Sequence, residues 1–253
     1  MRGQREEKRK VRAKSILTRT KLPGIDYTLN PYFGCGHRCV YCYVPHFLKL
    51  PYPPRPEPKE NAVELLRREV LRKRPGHVLI SSATDPYQPL ERRWMLTQKI
   101  LKIFATVKIW RITILTKSDL VLRDIEILKS IPKIEVGLTI TTDREDIRRI
   151  FEPFASPISN RINALKVLKS EGIRTYAFIA PFLPMNPRRL AELIEPHVDY
   201  VLIDVMHYRR SVSKILVKYG FDFILSERWQ EEVIDVLRDV FGDKLAVGSA
   251  VER

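Results

Sequence analysis

Short apolar runs alternate with amphipathic stretches from residue 27 to about residue 205. The runs are nearly continuous in apolar residues, which is typical of strands in a parallel sheet that helices cover. They predict six strands, over residues 27–30, 77–82, 111–116, 134–141, 173–180 and 200–205. Amphipathic periodicity predicts helices over about 60–73, 91–106, 120–130, 157–171 and 187–195. Six strand–helix units with right-handed crossovers predict an α/β fold with a parallel sheet, and six such units can curl into an open partial barrel instead of a closed eight-stranded one.

Three segments outside these units carry other patterns. Residues 45–58 are rich in proline, which disfavours helix and interior strand, so they predict an extended surface loop. Residues 1–14 hold seven Lys and Arg against two Glu, and they predict a basic arm that either contacts nucleic acid or is a solvated tail. Residues 211–253 hold two helical patterns and a short apolar end. We expect a single domain over 15–253, with a C-terminal helical extension over about 211–253.

The hydropathy of the chain argues against a membrane protein and a secreted protein. No apolar run approaches the ~18 residues that a transmembrane helix needs. The N-terminal residues carry charge and lack the apolar stretch of a secretory signal. We therefore expect no contact with a membrane and a cytoplasmic location.

The balance of charge favours an anionic partner such as nucleic acid or phosphate. Lys and Arg number 45 against 30 Asp and Glu, which gives a formal net charge of +15 and a pI near 9.8. A charge-rich surface of the kind found in thermophiles is the alternative interpretation. The arginines expected on a phosphate-binding face are Arg144, Arg148, Arg149, Arg209 and Arg210.

Polar residues follow several of the predicted strands. These are Ser82-Ala83-Thr84-Asp85, Thr116-Lys117-Ser118, Thr139 with Thr141, and the Ala180-Pro181 turn. Because the carboxyl ends of parallel strands meet at one face, we expect these residues to form a composite site. For any single position, ordinary loop chemistry is the alternative.

The three cysteines of the chain all fall within eight residues. Cys35, Cys39 and Cys42 have C-x3-C-x2-C spacing, and an odd number packed this closely cannot form a disulfide framework. A [4Fe–4S] cluster is fully ligated by four thiolates, so three leave one iron open to a small molecule with amine and carboxylate groups. Zinc is the alternative metal, with His37 or His46 as a fourth ligand.

At this point the sequence resembles the radical S-adenosylmethionine (SAM) enzymes, whose signature is a C-x3-C-x2-C loop after the first strand. More narrowly, it resembles spore photoproduct lyase and the relatives called DNA repair photolyases, over about residues 24–210. The motifs that carry the narrower resemblance are Asn30-Pro31-Tyr32-x-Gly34-Cys35, Cys39-Val40-Tyr41-Cys42-Tyr43, Ser82-Ala83-Thr84-Asp85, Thr116-Lys117, Phe151-Glu152-Pro153, Ser156-Pro157, Arg161 and Phe178-Ile179-Ala180-Pro181.

The resemblance implies a partial (β/α)6 barrel of the TIM type in which Cys35, Cys39 and Cys42 ligate a [4Fe–4S] cluster. SAM would chelate the fourth iron. One electron would then cleave SAM to methionine and a 5′-deoxyadenosyl radical that abstracts hydrogen. An external electron donor of the flavodoxin or ferredoxin type is implied as well.

The same resemblance implies roles for individual residues near SAM. Tyr41 and Tyr43 would relay hydrogen, although aromatic packing beside the cluster is the alternative for both. The residues expected to bind SAM are Ser82, Asp85, Lys117, Thr139, Ala180 and Pro181. Among these, Lys117 would contact the SAM carboxylate. Glu152 and Arg161 are expected either to form a structural salt bridge or to contact the ligand.

One departure from the lyase pattern limits what the resemblance implies. The lyase has a hydrogen-donating cysteine where this chain has Ser82, and a hydroxyl is a far poorer hydrogen-atom donor than a thiol. Shared ancestry therefore supports the cofactor chemistry and not the substrate. The first hypothesis is a radical SAM enzyme that acts on nucleic acid. The alternatives are a zinc-stabilised nucleic-acid-binding protein without catalysis and an electron-transfer protein.

Overall fold

The computed structural model describes residues 11–53, 55–206 and 209–247. Most of the basic arm predicted over residues 1–14 lies outside the described residues. The strands are β1 (Leu17–Arg19), β2 (Tyr27–Leu29), β3 (Tyr32–Phe33), β4 (Glu57–Pro58), β5 (His77–Ile80), β6 (Arg111–Thr116), β7 (Ile134–Thr139), β8 (Arg174–Ile179), β9 (Tyr200–Ile203) and β10 (Leu245–Val247).

Eight of these strands form one sheet in the order β1-β2-β5-β6-β7-β8-β9-β10. All neighbours from β2 to β10 pair in parallel, and β1 pairs with β2 in the antiparallel direction. The six predicted strands are all present and follow one another in chain order. This topology confirms the predicted α/β fold with a partial barrel, because consecutive parallel neighbours are the barrel arrangement.

The helices lie between the strands and after the last predicted one. They are α1 (Val44–Phe47), α2 (Ala62–Arg72), α3 (Glu91–Trp94), α4 (Leu96–Val107), α5 (Ile125–Lys129), α6 (Glu145–Phe151), α7 (Ile158–Ser170), α8 (Pro187–Ile194), α9 (Arg209–Lys218) and α10 (Glu227–Phe241). Among the helices whose preceding residue is described, two begin with a side-chain cap: Asn186 accepts from the Arg189 amide, and Ser226 accepts from the Trp229 amide.

Two clusters of buried apolar side chains hold these elements together. The larger one lies between the sheet and its helices, and it includes Val78, Ile112 and Val201, all fully buried. The second apolar cluster joins α6, α9 and the cysteine segment. Its buried members are Ile147, Phe151, Leu183, Met206, Val212, Leu216 and Ile224, and Val40 and Tyr41 pack against them. The second cluster therefore fixes the cysteine segment to the ends of the later strands.

The proline-rich stretch is not the uninterrupted loop that its composition predicts. Residues 44–47 form α1, with Pro45 in the first turn, where no backbone N–H is required. Pro58 lies in β4, which pairs only with the two residues of β3, and a short ribbon of this kind tolerates the missing donor.

Other boundaries also differ from the prediction. The helix expected over 91–106 is interrupted at Met95, whose left-handed φ of 50° separates α3 from α4. The helix expected over 120–130 begins as the 3-10 turn Asp119–Asp124 and becomes α-helical only in α5. β1 and α6 were not predicted; residues 245–247 of the short apolar end form β10, and the rest of that end lies outside the described residues. In the described ranges, no helix has the length and apolar character needed to cross a membrane.

Candidate active site

The cysteine loop, residues 34–43, follows β3 and turns back on itself through two unusual backbone positions. Gly34 has φ of 65° and Arg38 has φ of 52°, both in the left-handed region. Gly36 is tightly packed, since a Cβ there would lie 3.1 Å from Cδ of Pro89. The amide of Cys42 donates to the carbonyl of Cys39 at 3.1 Å, which closes the last turn of the loop.

The segment after β5 holds one side of the cysteine loop. The Gln88 side chain accepts from the amide of Gly36 at 2.7 Å and donates to the carbonyl of Gly34 at 3.3 Å. The Thr84 hydroxyl donates to the same Gly34 carbonyl at 2.5 Å. The Gln88 side chain also donates to the Thr84 hydroxyl at 2.9 Å. The two residues that support the loop are therefore hydrogen-bonded to each other.

The end of α6 holds the other side of the loop. The amide of Val40 donates to the carbonyl of Phe151 at 2.9 Å. The His37 ring is buried, and its Nδ1 lies 3.0 Å from the carbonyl oxygen of Phe154. These contacts place the loop against the segment that follows the fourth predicted strand, at the carboxyl end of the sheet.

Asp85 connects the cysteine loop to the end of β6. Its carboxylate accepts from the Thr116 hydroxyl at 2.6 Å and from the Lys117 amide at 2.8 Å, and it lies 3.3 Å from Nε2 of His37. Burial opposes ionisation, but His37 and these hydrogen bonds lower the pKa of Asp85 to about 2. Asp85 is therefore an ionised organising group whose oxygens are engaged by the protein.

Glu152 is a second buried carboxylate that contacts the cysteine loop. Its carboxylate accepts hydrogen bonds from the Tyr41 hydroxyl and, at 3.1 Å, from the Thr141 hydroxyl. Nη2 of Arg161 lies 2.6 Å from Oε2 of Glu152. Burial raises the pKa of Glu152, but Arg161 and Lys117 outweigh it and hold the pKa below its ordinary value. The structural salt bridge expected for this pair is present, and the carboxylate also orients Tyr41.

Lys117 lies beside the same group of residues. Its Nζ is 5.7 Å from the centre of the Tyr41 ring, and its charge lowers the pKa values of Cys39 and Cys42, which burial raises. In the described part of the chain, Lys117 forms no ion pair within 4.0 Å. An ammonium without an ion pair near the thiols of Cys39 and Cys42 leaves a cation available to an anionic ligand.

Asn30 and Ser82 tie the end of β2 to the segment after β5. Asn30 donates to the Ser82 hydroxyl at 3.1 Å and accepts from the amides of Ser82 and Ala83. The Tyr43 hydroxyl donates to the carbonyl of Ser82 at 2.6 Å. The structure thus brings Tyr43 and Ser82 together at the rim of the cysteine loop.

The remaining residues expected at the site lie at the ends of β7 and β8. Thr139 is buried, and its carbonyl accepts from Nη1 of Arg161 at 2.9 Å, which links it to Glu152. Ala180 and Pro181 are joined by a cis peptide directly after β8. Ile140 donates its amide to the carbonyl of Phe178 at 3.0 Å, so these two strand ends lie side by side.

The donor set fits an iron–sulfur cluster. The three thiols are free, partly exposed and on a single loop. Burial raises the pKa of Cys39 to about 12 and raises that of Cys35, so the thiolates need a strongly cationic partner to form. Iron atoms of a bound cluster supply that charge. The tight packing at Gly36 against Pro89 keeps the loop compact.

Zinc fits these residues less well. Both ring nitrogens of His37 face protein oxygens, those of Phe154 and Asp85. Among the described residues, no three His, Cys, Asp or Glu side chains converge closely enough to hold a single metal ion. Zinc needs its donors around one point, whereas a cubane spreads its ligands over several iron atoms.

Sequence reasoning missed Gln88 and Tyr52, which shape the site, and it considered His37 only as a zinc ligand. Gln88 and His37 hold the cysteine loop, and Tyr52 donates to the carbonyls of Arg38 and Cys39 at 3.2 and 3.1 Å. His37 lies between Cys35 and Cys39 in the sequence, and this position could have indicated that it supports the loop. Gln88 and Tyr52 gave no such signal, because their contacts depend on how distant segments fold.

The predicted phosphate-binding arginines do not all lie on the surface. Arg148 is buried, and its Nη1 donates to three backbone carbonyls, those of Glu152, Pro153 and Ala155. A phosphate contact is therefore wrong for Arg148, because its guanidinium caps the end of α6. Arg144 forms an ion pair with Asp146, and Arg209 donates to Leu225 and Gln230. Arg149 is exposed, with its Nε 3.8 Å from a carboxylate oxygen of Glu145, and Arg210 is exposed.

Two relatives share a large part of the sequence. An uncharacterised protein of Methanocaldococcus jannaschii is 39% identical over 179 residues, which cover 69% of this chain and 67% of the relative. An uncharacterised protein of the Acidianus two-tailed virus is 26% identical over 233 residues, which cover 83% of this chain and 74% of the relative.

Two solved structures share the fold. Spore photoproduct lyase complexed with dinucleoside spore photoproduct has a TM-score of 0.66 at 16% identity, covering 94% of this chain and 80% of that chain. SuiB of Streptococcus suis bound to S-adenosylmethionine has a TM-score of 0.60 at 16% identity, covering 88% of this chain and 50% of that chain. At these identities the likeness establishes the fold alone.

A family model described as the radical SAM superfamily matches residues 29–195, which run from the end of β2 past α8 and include the cysteine loop. That family implies the two cofactors predicted from the sequence, a [4Fe–4S] cluster and SAM. The chain belongs to the radical SAM superfamily.

Proposed function

We propose that this protein is an enzyme that cleaves SAM reductively to a 5′-deoxyadenosyl radical and uses the radical on a nucleic acid substrate. The observation that carries the proposal is the cysteine loop, which holds Cys35, Cys39 and Cys42, the last two near the ammonium of Lys117. When bound, the [4Fe–4S] cluster and SAM supply the electron path and the radical precursor. Family membership supports an enzyme with radical chemistry, and the steps below concern the chain's own residues.

Lys117 is proposed to bind the carboxylate of SAM. It follows β6, its amide is fixed by Asp85, and its Nζ lies near Tyr41 and the thiols. A fixed backbone limits where the flexible side chain can place its charge. Thr139, Ser82 and the Ala180-Pro181 turn are proposed to complete the SAM site, since they occupy the neighbouring strand ends.

Tyr43 is proposed to relay hydrogen between the radical and the product. Tyr43 is 42% exposed, and its hydroxyl donates to the carbonyl of Ser82. Tyr41 is less suited to this role, because its hydroxyl is bound by the ionised Glu152. With serine at position 82, a reaction identical to that of spore photoproduct lyase is not proposed, because the hydroxyl does not replace a thiol as hydrogen donor.

Three observations support nucleic acid as the substrate class. The formal net charge is +15. The exposed cations Arg149 on α6, and Arg210 and Lys214 on α9, belong to helices that pack in the same apolar cluster as Tyr41. A solved structure with this fold is complexed with a dinucleoside photoproduct. Phosphate contacts by such cations make binding strongly dependent on salt.

The test is anaerobic incubation of the cluster-loaded protein with SAM, dithionite and candidate oligonucleotides in deuterated buffer. We expect release of 5′-deoxyadenosine and deuterium in the oligonucleotide product. Absence of 5′-deoxyadenosine from protein that holds iron and sulfide would overturn the proposed chemistry. Cleavage of SAM together with peptide-dependent, oligonucleotide-independent turnover would overturn the proposed substrate class alone.

A further inference from the structure

A cleft opens at the end of the sheet opposite the cysteine loop. It has a volume of about 790 Å³ and lies at the amino ends of β6, β7 and β8. Lys117, Thr139 and Ala180, which are proposed to bind SAM, lie at the carboxyl ends of the same three strands. β6 has six residues, so at about 3.3 Å per residue its two ends are roughly 17 Å apart. We call this cleft the basal cleft, and its charged lining residues are Arg111, Lys129, Lys133, Glu135, Glu171 and Arg174.

One buried carboxylate of the basal cleft holds two arginines. Glu135 is 5% exposed and accepts from the Thr113 hydroxyl. Its Oε2 lies 3.4 Å from Nη2 of Arg111 and 3.8 Å from Nε of Arg174. The Arg174 guanidinium also lies over the Tyr200 ring, with Cζ 5.4 Å from the ring centre. Both arginine side chains are more than half exposed. A single carboxylate thus positions two guanidinium groups and compensates the charge of only one.

The lysines of the basal cleft add charge that the protein compensates only in part. Nζ of Lys129 lies 2.8 Å from a carboxylate oxygen of Glu171 and 3.5 Å from one of Glu126. Lys133 is exposed and, within the described ranges, forms no ion pair within 4.0 Å. Four cations and two carboxylates line the cleft, so the lining has a formal charge of +2, four minus two. A surplus of this size favours a ligand with two negative charges.

The charge and the shape of the basal cleft fit a phosphate ester. A phosphate monoester carries about two negative charges at pH 7, and guanidinium groups bind its oxygens in pairs. Apolar residues complete the lining, and they can contact the organic part of an ester: Ile131, Pro132, Ile134 and Ile173. The volume of about 790 Å³ lies within the range of about 300 to 1,000 Å³ that is typical of small-molecule sites. A nucleotide has this size and this combination of groups.

We propose that the basal cleft binds a free nucleotide, with Arg111, Lys133 and Arg174 as the residues that contact its phosphates. A nucleic acid substrate has to reach the opposite ends of the strands, so the basal cleft is placed for a separate ligand. Glu135 is a positioning residue, because it holds the two guanidinium groups at the cleft. The inference goes beyond the proposed function and does not depend on it, since neither SAM nor radical chemistry takes part in this binding.

The test compares a variant of the basal cleft with a matched variant elsewhere. Lys133→Gln/Arg174→Gln removes two exposed cations and leaves Arg111 to pair with the buried carboxylate. Arg67→Gln/Lys102→Gln removes two exposed cations from α2 and α4, outside the cleft. The probes are ADP, GDP, CDP and UDP, inorganic pyrophosphate and a short oligonucleotide. Each is titrated by calorimetry into the cluster-loaded protein with SAM present, so that the SAM site is occupied.

We expect at least one nucleoside diphosphate to bind the unmodified protein, and to bind it more tightly than pyrophosphate does. The cleft variant should bind that nucleotide about tenfold or more weakly, because it loses charge-assisted contacts to the phosphates. The matched variant should bind as the unmodified protein does. Absence of nucleotide binding overturns the proposal, and so does an equal loss of affinity in the two variants. Binding of the oligonucleotide alone, lost in the cleft variant, overturns it by assigning the cleft to nucleic acid.

A second measurement needs no variant and guards against a variant that folds poorly. Exposed lysines of the unmodified protein are acetylated with and without the nucleotide that binds, and each site is quantified by mass spectrometry. The bound nucleotide should largely prevent acetylation of Lys133, while Lys102 on α4 is acetylated equally in both samples. Equal acetylation of Lys133 with the nucleotide bound overturns the proposal, because the ligand then lies elsewhere. The same result is expected whether or not the protein cleaves SAM, so a failure of the proposed function remains distinguishable.

Discussion

Oε2 of Glu152 lies 2.6 Å from Nη2 of Arg161, and both side chains are completely buried. Glu152 ends α6 and Arg161 belongs to α7, so the pair joins two helices across the Pro-rich turn between them. Arg161 also donates to the carbonyl of Thr139, and Glu152 accepts from Tyr41. One ion pair therefore connects the cysteine loop to the end of the sheet.

Arg161→Met should destabilise the fold by about 3 kcal/mol, because it leaves the Glu152 carboxylate buried without its main cationic partner. Urea unfolding measures the loss. The exposed pair of Arg228 and Glu232 provides the control, since Arg228→Ala should cost less than about 1 kcal/mol. Similar costs for the two variants would show that burial does not set the strength of the Glu152–Arg161 pair.

Cys39→Ala should abolish cluster binding and, with it, release of 5′-deoxyadenosine. No cysteine outside the loop is available to replace the lost ligand. Iron and acid-labile sulfide are measured in the reconstituted protein, and zinc is measured in the same samples. Retention of iron and SAM cleavage by the variant would contradict the ligand assignment. A colourless unmodified protein that holds zinc would contradict the cluster itself.

Lys117→Met should weaken SAM binding about tenfold or more, equivalent to about 1.4 kcal/mol, because it removes the cation proposed to meet the carboxylate. Equilibrium binding of SAM to the cluster-loaded protein measures the effect. Lys102→Met is the control, since Lys102 is an exposed lysine on α4, away from the cysteine loop. The same SAM affinity in both variants would remove Lys117 from the site.

His77 should make the fold less stable as the pH falls. Burial lowers the pKa of His77, its Nδ1 lies 2.7 Å from the carbonyl of Gly24, and its Nε2 lies 2.6 Å from the Thr113 hydroxyl. Arg111 lowers this pKa further, while Glu135 and Asp26 raise it.

The sign of this effect follows from the lowered pKa. In the unfolded chain His77 binds a proton near pH about 6.5, and in the folded chain it binds one only at lower pH. The contribution of neutral His77 to the free energy of unfolding is therefore fully present above pH about 6.5. It is lost as the pH falls through the folded pKa. His77→Gln should lose less unfolding free energy than the unmodified protein between pH about 7 and about 5. The free energy of unfolding of both proteins is measured with urea at each pH. If it changes with pH by the same amount in the two proteins, the assignment to His77 is contradicted.

Local patterns in the sequence predicted the strands and the cysteine loop because those features depend on neighbouring residues. β1 depends instead on a distant one, since the Glu69 carboxylate accepts from the amides of Ile16 and Leu17 at 3.1 and 2.8 Å. α6 escaped prediction because its short apolar stripe, Ile147 with Ile150 and Phe151, contacts the second apolar cluster and not the main core.

The candidate site shows the same division between local and distant contacts. The three cysteines and the strand-end residues were predicted from their spacing and order. The support from Gln88 and Tyr52 was not, because each reaches the loop through a backbone group 13 to 54 residues away. The break at Met95 was also missed, since a left-handed methionine has no signature in composition.

The two outer strands of the sheet bear on how a long molecule reaches the active site. β1 and β10 occupy opposite edges, and in the described ranges they do not pair with each other. A sealed cylinder admits a polymer only if an end or a tight hairpin enters through its top. A sheet that is open along one side lets the middle of a polymer lie across the face where the strands end. A polymer without free ends can therefore reach this face as readily as a short fragment.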